Sequence, residues 1–237
     1  MDCFKKLWAL GAKPAVVVPI KPIETVAPVV LVPKVPGTKV LMIDVSHYEP
    51  VPDYAKLKAN GVAAVYAKAS EHAPDSLFKE HVKAAQAAGL PVGGYHFLHC
   101  GSGVSGEAQA ALYLSCVKGL KLELRHCLDW EGGSADGMSS AHQQSVADAW
   151  LGAVEAIGTV PCIYGGESFL RELNLPAKYV KYPLWLAHYG CAESKLKIPF
   201  PWHSYSAWQF TDAMGITGLA GQHTVDASWT FLEQFLN

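Results

Sequence analysis

The sequence predicts an α/β fold, an irregular TIM-like (β/α) barrel whose C-terminal third is poor in helices. Short apolar runs alternate with helical stretches from residue 39 onward, which predicts parallel strands joined by right-handed crossovers. The chain has 237 residues, of which 50% are hydrophobic, and α/β barrels of this size commonly form one domain. Two late strand-like segments, 205–212 and 223–229, have no long helix between them. The six to eight strand–helix units predict a barrel. The lack of a long helix between the last two strands predicts that its end is irregular.

The strands are predicted from short apolar runs, and the helices from longer stretches with apolar residues near one face or a glycine stop. In chain order, the predicted strands cover 39–46, 63–70, 90–99, 125–131, 160–166, 182–190, 205–212 and 223–229. The predicted helices cover 53–61, 74–89, 106–119 and 140–158. No internal repeat of fixed period interrupts this order.

Residues 1–38 differ in composition from the rest of the chain. They contain six of the fifteen prolines and many valines, which favours extended or polyproline II structure over helix. The apolar run "LWALGA" is too short for the core of a signal peptide, and no window approaches the roughly 20 apolar residues that span a bilayer. We therefore interpret 1–38 as an arm or linker and 39–237 as the catalytic barrel. A membrane-associated export anchor at the N-terminus is the alternative.

The composition argues against several classes of partner. Charged residues make up only 17% of the chain and the net charge is −2, so a basic surface for nucleic acid is not expected. The six cysteines form no CxxC pair and match no zinc-binding spacing. We interpret them as free, mostly buried thiols, although an even number permits disulfides. The expectation is a monomer without metal or cofactor.

Polar and aromatic residues gather where the predicted strands end, the edge at which barrels and open parallel sheets bind ligands. These residues are Asp44, Ser46, His47, Lys68, Glu71, Tyr95, His96, His99, Asp129, Glu131, Tyr164, Trp185, His188, Tyr189, Trp208, Gln209 and Asp226. Lysine and arginine are scarce among them, which argues against a phosphorylated substrate. Acids together with aromatic rings suit a carbohydrate. Any single residue in this set is more often a packing or capping residue, so the inference depends on the joint pattern.

The segment "HCLDWEGG" (126–133) carries the most specific signal. Side chains alternate along a strand, so Asp129 and Glu131 are predicted to share a face, with Cβ atoms about 6.5–7 Å apart, while Trp130 points away. Two acids in a partly dry cleft perturb each other, and one can stay protonated while the other is ionised. A glycosidase needs that division between a proton donor and a stabilising anion. A capping or solvated acid pair is the alternative.

Competing motifs fit less well. "GSGVSG" (101–106) has the G-x-G-x-x-G spacing of the dinucleotide-binding fingerprint. In that fingerprint the turn begins directly after the strand, whereas here His99 and Cys100 separate the first glycine from the apolar strand. The three-residue spacing of His96 and His99 turns their rings to opposite faces of a strand, so metal binding there would need loop geometry. "GVSGE" lacks the closing glycine of a nucleophile elbow.

Seven segments resemble, in order, the motifs of glycoside hydrolase family 25, the Chalaropsis-type muramidases common among phage endolysins and bacterial autolysins. They are "IDVSHYEP" (43–50), "VYAKASEH" (65–72), "AAGLPVGGYHF" (87–97), "LDWEG" (128–132), "YPLWLAHYG" (182–190), "AWQFTD" (207–212) and "TVDAS" (224–228). The resemblance covers about 39–230. It implies an irregular (β/α) barrel that hydrolyses the β-1,4 bond between N-acetylmuramic acid and N-acetylglucosamine in bacterial peptidoglycan.

The resemblance also implies residue roles. Glu131 matches the general acid/base, Asp129 the carboxylate that stabilises charge or assists the substrate, and Asp44 and Asp226 the other two acids of the groove. The sugar contacts that it suggests are Tyr66, Tyr95, Trp185, Tyr189 and Gln209. The family is associated with net retention, and the acetamido group of the substrate, in place of Asp129, is the favoured nucleophile. The Cβ spacing by itself allows retention or inversion.

The sequence departs from the family pattern in two ways. His72 stands where the family often has glycine, and no repeated wall-binding module follows the barrel. The resemblance suggests a phage endolysin for a Gram-negative host, held in the host cytoplasm until release to the cell wall or periplasm, or otherwise a secreted enzyme. Two alternatives stay open: a catalytically silent sugar-binding relative, and a barrel hydrolase of another N-acetyl sugar polymer.

Overall fold

The computed structural model describes residues 37–132, 137–221 and 223–237. The arm predicted over residues 1–38 therefore lies, apart from its last two residues, outside the described part of the chain. Within that part, no helix is both long and apolar enough to cross a membrane.

Eight strands form a closed barrel in which neighbours in sequence are neighbours in the sheet. The strands are Val40–Val45 (β1), Val62–Ser70 (β2), Val92–Phe97 (β3), Cys127–Asp129 (β4), Cys162–Gly166 (β5), Leu184–Ala187 (β6), Ala207–Met214 (β7) and Val225–Thr230 (β8). Strands β1 to β7 run parallel to one another, whereas β8 is antiparallel to both β7 and β1. The predicted barrel with an irregular end is confirmed. An antiparallel strand can follow a short connection, whereas a parallel one needs a long crossover, so no helix is required between β7 and β8.

Five α-helices lie among the described residues. They are Tyr54–Ala59 (α1), Phe78–Ala87 (α2), Gly106–Val117 (α3), Ser140–Glu155 (α4) and Glu167–Glu172 (α5). The first four lie within the predicted spans, although α2 begins four residues later than the predicted start at residue 74. Helix α5 was not predicted, because six residues are too few to show a helical period.

The core has two layers, as the alternation of side chains along each strand requires. One layer lies between the strands and the helices, and Ile43, Val65, Leu128 and Trp130 belong to it. The other is a separate apolar cluster inside the barrel, formed by alternate residues of the same strands together with three residues outside the strands. The strand residues are Met42, Ala64, Tyr66, Cys127, Cys162, Tyr164, Trp185 and Ala207, and the others are Leu124, Leu232 and Phe235. Each large side chain buried here contributes roughly 1.5–3 kcal/mol of transfer free energy. We call this interior layer the floor, because it lies beneath the polar residues at the ends of the strands.

Five cysteines lie in the described part of the chain, and all five are free thiols. Four of them are buried and Cys191 is partly exposed. The prediction of mostly buried free thiols is confirmed for these five, while Cys3 lies outside the described residues.

Candidate active site

Four carboxyl groups meet at the end of the barrel where β1 and β4 finish. Asp44 on β1 and Asp226 on β8 are paired across the sheet, and Asp129 is the last residue of β4. Burial raises the pKa of Asp44 well above its usual value, and the charges of Asp226 and Glu131 raise it further. The structure therefore brings together the four acids that the sequence pointed to.

Strand β4 is shorter than predicted, yet the chain keeps the predicted alternation beyond it. The backbone N–H of Trp130 donates to the carbonyl of Tyr164 at 2.9 Å, so pairing with β5 continues past Asp129. Trp130 is fully buried and packs in the outer layer against Phe169 and Tyr179. Trp130 thus points away from the barrel interior, which leaves Asp129 and Glu131 on the side of the groove.

Asp129 is the more buried member of this pair, with 7% of its surface exposed. Burial raises its pKa well above the usual value, the charges of Glu131 and Asp44 add to the rise, and Lys68 opposes it. Its Oδ1 atom is buried and has no hydrogen-bond partner among the described residues. A buried acceptor without a partner is costly, so this oxygen is suited to a donor that arrives with a ligand.

Glu131 has the character of a proton donor. Burial raises its pKa, while a hydrogen bond with Tyr164 and the charge of Lys68 act in the opposite direction. A raised pKa keeps a carboxylic acid protonated nearer to neutral pH, as a general acid requires. Glu131 lines a pocket of about 240 Å³. The other residues that line this pocket are Gly132, Tyr164, Gly166, Phe169, Ala187, His188 and Tyr189.

Gln209 joins two of the acids to two phenols. Its Nε2 donates to Asp44 Oδ2 at 3.0 Å and to Asp226 Oδ2 at 3.3 Å. Its Oε1 accepts from the hydroxyls of Tyr164 at 2.7 Å and Tyr189 at 2.6 Å. These four bonds fix the orientation of the amide and use both of its ends. Gln209 is buried, so the structure gives it a supporting position below the groove instead of the predicted contact with sugar.

Two more of the predicted sugar contacts lie in the interior floor. Tyr66 is fully buried, and its hydroxyl donates to the carbonyl of Arg125 at 2.9 Å. Trp185 is 2% exposed, and its Nε1 donates to Ser228 Oγ at 2.9 Å. The two rings pack against each other with centroids 4.9 Å apart, which leaves neither ring a surface for a sugar. The rim position predicted for Trp185 is corrected accordingly, and the sugar contact that the resemblance suggested for Tyr66 is not available at this depth.

The other two predicted sugar contacts do lie at the groove. Tyr95 is partly exposed, and burial together with the charges of Asp44 and Asp129 raises the pKa of its phenol. Tyr189 is 43% exposed. Both rings can therefore face a ligand that sits over the acids.

Three functional residues were not singled out from the sequence, although two of them lay in the predicted rim. Lys68 is 7% exposed, pairs with Glu71 at 2.9 Å and is the one cation acting on both Asp129 and Glu131 in the interactions above. Tyr164 bonds to Gln209. Glu49 accepts a hydrogen bond from the Ser46 N–H at 2.7 Å, and its charge raises the pKa of Asp226. Strand alternation could have identified Lys68 and Tyr164, but Glu49 comes from a loop.

The acid cluster predicts a dependence of stability on pH. Burial raises the pKa of Asp226 to about 7, with further increases from Glu49, Asp212 and Glu131, whereas an aspartate in the unfolded chain titrates near 3.9. Between about pH 4 and pH 7 the folded protein therefore binds more protons at this group than the unfolded chain does. The free energy of unfolding must fall as the pH rises through this window.

We expect Asp226→Asn to raise the free energy of unfolding at about pH 8 by about 1–2 kcal/mol, a value reduced from the full shift because the carboxyl is partly exposed. Near pH 4.5, where much less of that cost applies, the gain should be small. Urea midpoints at both pH values measure the difference, with the exposed Glu172→Gln as control. A gain that is equal at the two pH values would show that Asp226 does not titrate in this way.

Comparison with known proteins identifies relatives of the same architecture. The sequence profile of glycosyl hydrolases family 25 matches residues 43–219. The autolytic lysozyme of Clostridium acetobutylicum is 30% identical over 179 residues, which cover 73% of this chain and 51% of that protein. The chain thus spans about half the length of this curated relative.

Two solved structures share the fold over most of the chain. The bacterial lysozyme from Streptomyces coelicolor superposes with a TM-score of 0.72 at 25% identity, covering 82% of this chain and 93% of that one. The muramidase from Trichobolus zukalii gives a TM-score of 0.69 at 29% identity, with 81% and 93% covered.

Proposed function

Because the chain belongs to glycosyl hydrolases family 25, we propose that it is a lysozyme, a peptidoglycan hydrolase that cleaves the β-1,4 bond between N-acetylmuramic acid and N-acetylglucosamine. The observation that carries this proposal is the set of four acids with raised pKa values at one end of the barrel. Glycosidic bond cleavage needs one carboxylic acid and one carboxylate in such a cleft.

In this proposal, Glu131 is the general acid. It protonates the glycosidic oxygen as the bond to the anomeric carbon breaks, and as the carboxylate it then removes a proton from the attacking water. Its partial exposure and its position on the pocket support this role. Lys68 restrains the rise of its pKa, which keeps the second step accessible.

Asp129 is proposed to orient and stabilise the acetamido group of the muramic acid. The carbonyl oxygen of that group attacks the anomeric carbon, and Asp129 accepts a hydrogen bond from its N–H as positive charge develops there. The unpartnered Oδ1 supports this arrangement because it offers an acceptor that no described residue uses. Water then opens the cyclic intermediate from the opposite face, so the product keeps the configuration of the substrate.

The remaining groove residues are proposed to position the acids and to contact the sugar. Gln209 holds Asp44 and Asp226 by hydrogen bonds. The charges of these two acids raise the pKa of the Tyr95 phenol. Tyr95 and Tyr189 are the proposed sugar contacts. The biological role as a phage endolysin, held in the host cytoplasm until it is released to the wall, is also part of the proposal. The sequence motifs resemble those of glycoside hydrolase family 25, which is common among phage endolysins, and this resemblance supports the role.

The proposal is tested by the chemistry of the products. Purified peptidoglycan stripped of outer membrane is digested, and the new reducing ends are reduced with borohydride and identified after acid hydrolysis. We expect reduced muramic acid. Reduced glucosamine would indicate a hydrolase of the other bond or of another N-acetyl sugar polymer. Binding to the wall without new reducing ends would indicate a silent sugar-binding protein.

A further inference from the structure

Three side chains with metal-binding atoms meet at the rim beside the acid groove. They are Glu71 and His72, which follow β2, and His99, which follows β3. One ligand atom from each lies within 4.8 Å of the other two. Because β2 and β3 are parallel neighbours, the segments that leave their ends come together at this edge. The cluster is therefore a product of the barrel topology and not of a local sequence motif.

The ligand atoms of Glu71 and His99 are hydrogen-bonded to each other, at a spacing slightly shorter than that of two ligands on one metal ion. His99 Nε2 lies 3.0 Å from Glu71 Oε1, and two ligands of a tetrahedral Zn²⁺, each at about 2.0–2.1 Å, lie about 3.3 Å apart. Lys68 Nζ holds the other carboxylate oxygen, Glu71 Oε2, at 2.9 Å. The lysine thereby fixes the carboxylate and leaves Oε1 as the oxygen that faces the histidines.

The side chain of Gln109 holds the backbone of His99 in place. Its backbone N–H donates to Gln109 Oε1 at 2.8 Å, and its carbonyl accepts from Gln109 Nε2 at 2.8 Å. A carboxylate oxygen only accepts, so the Nε2 atom of His99 carries the proton in its bond to Glu71. A metal ion bound at Nε2 would take the place of this hydrogen.

His72 supplies the third ligand, from an exposed position. Its side chain is exposed, and its ring stacks on that of His99 with centroids 3.7 Å apart and planes inclined by 23°. Parallel rings do not direct their nitrogen lone pairs at one point, so His72 must turn off the stack to ligate. Its exposure makes that turn inexpensive. A pocket of about 380 Å³, which Lys68, Glu71 and His72 help to line, gives an ion access from solvent.

The structure excludes a metal site that His99 would form with His96. Both ring nitrogens of His96 are occupied, Nδ1 by Ser70 Oγ at 2.9 Å and Nε2 by Gln109 Oε1 at 3.1 Å. The better partners come from the preceding strand.

We propose that Glu71, His72 and His99 bind one late first-row divalent cation, of which Zn²⁺ is the representative, with water as the fourth ligand. Two imidazoles and one carboxylate suit such an ion. The proposal places the ion at the rim beside the groove and assigns it no step in the chemistry proposed for the four acids. The inference stands on geometry and does not depend on the proposed function.

The test titrates Zn²⁺ into untagged protein by calorimetry and records the visible spectrum with Co²⁺. We expect one equivalent of Zn²⁺ to bind, and tetrahedral Co²⁺ absorption bands to appear. His72→Gln and His99→Gln should each weaken binding at least about 10-fold and remove the bands. His203→Gln, an exposed histidine outside the cluster, should leave both unchanged.

Two results would overturn the site. One is the absence of a Zn²⁺ equivalent in the wild-type protein, and the other is binding that His72→Gln leaves unaltered. Because His72 is exposed and stacks on His99 at the surface, its substitution should not impair folding. The urea midpoint of each variant checks this directly.

Discussion

Glu131→Gln is expected to lower the rate of reducing-end release from purified peptidoglycan by at least about 10²–10⁴-fold, the usual contribution of a general acid. Glutamine keeps the size and hydrogen-bonding capacity of the side chain but has no proton to give to the leaving oxygen. The raised pKa of Glu131, which burial causes, is the property that the substitution removes. Binding to insoluble wall should be preserved, because the groove keeps its shape.

The control for this variant is Glu172→Gln, an exposed residue at the end of α5. It removes one carboxylate from the protein without touching the groove and should retain full activity. Urea midpoints of both variants show whether they fold. If folded Glu131→Gln keeps more than about a tenth of wild-type activity, then Glu131 is not the general acid, and another rim acid must supply the proton.

The sequence predicted the barrel because its strands have strong apolar patterns, and it predicted the four acids because they lie at or near the ends of those strands. It could not predict the depth of each rim residue. Asp44 and Tyr66 are paired across β1 and β2, yet Tyr66 lies in the floor and Asp44 in the groove. Strands tilt against the axis of a barrel, so paired residues need not stand at the same height.

The same limit applies to the contacts between segments that follow different strands. The family resemblance suggested Gln209 as a sugar contact, and its place near a strand end was compatible with that role. Its partners come from β1, β8, β5 and the segment after β6, and only closure of the barrel brings them together. The Glu71, His72 and His99 cluster is similar, since nothing in either segment alone indicates a metal site. Sequence reasoning identified chemical types and strand positions, while the closed barrel determined which of them touch.

Asp129→Asn is expected to lower the rate by about 10²–10³-fold, comparable to the loss of one preorganised electrostatic contact, while the product keeps its retained configuration. The positive charge that develops on the acetamido group favours the ionised form of Asp129 despite its raised pKa, whereas the isosteric asparagine cannot ionise. The side chain is buried, so water cannot easily replace the lost charge. Reducing-end assays give the rate, and NMR of the first product formed gives its anomeric configuration.

Asp129→Gly with added azide separates the two possible nucleophiles. If Asp129 attacked the anomeric carbon itself, azide would enter the space that the carboxylate leaves and attack from the same side, and Glu131 would still protonate the leaving oxygen. The product would then be a glycosyl azide of inverted configuration, and the rate would rise with azide concentration. The unpartnered Oδ1 of Asp129 is instead assigned to the acetamido N–H, so we expect neither rescue nor an azide adduct. Detection of the adduct by mass spectrometry would move the nucleophile from the substrate to Asp129, and would leave the general acid role of Glu131 intact.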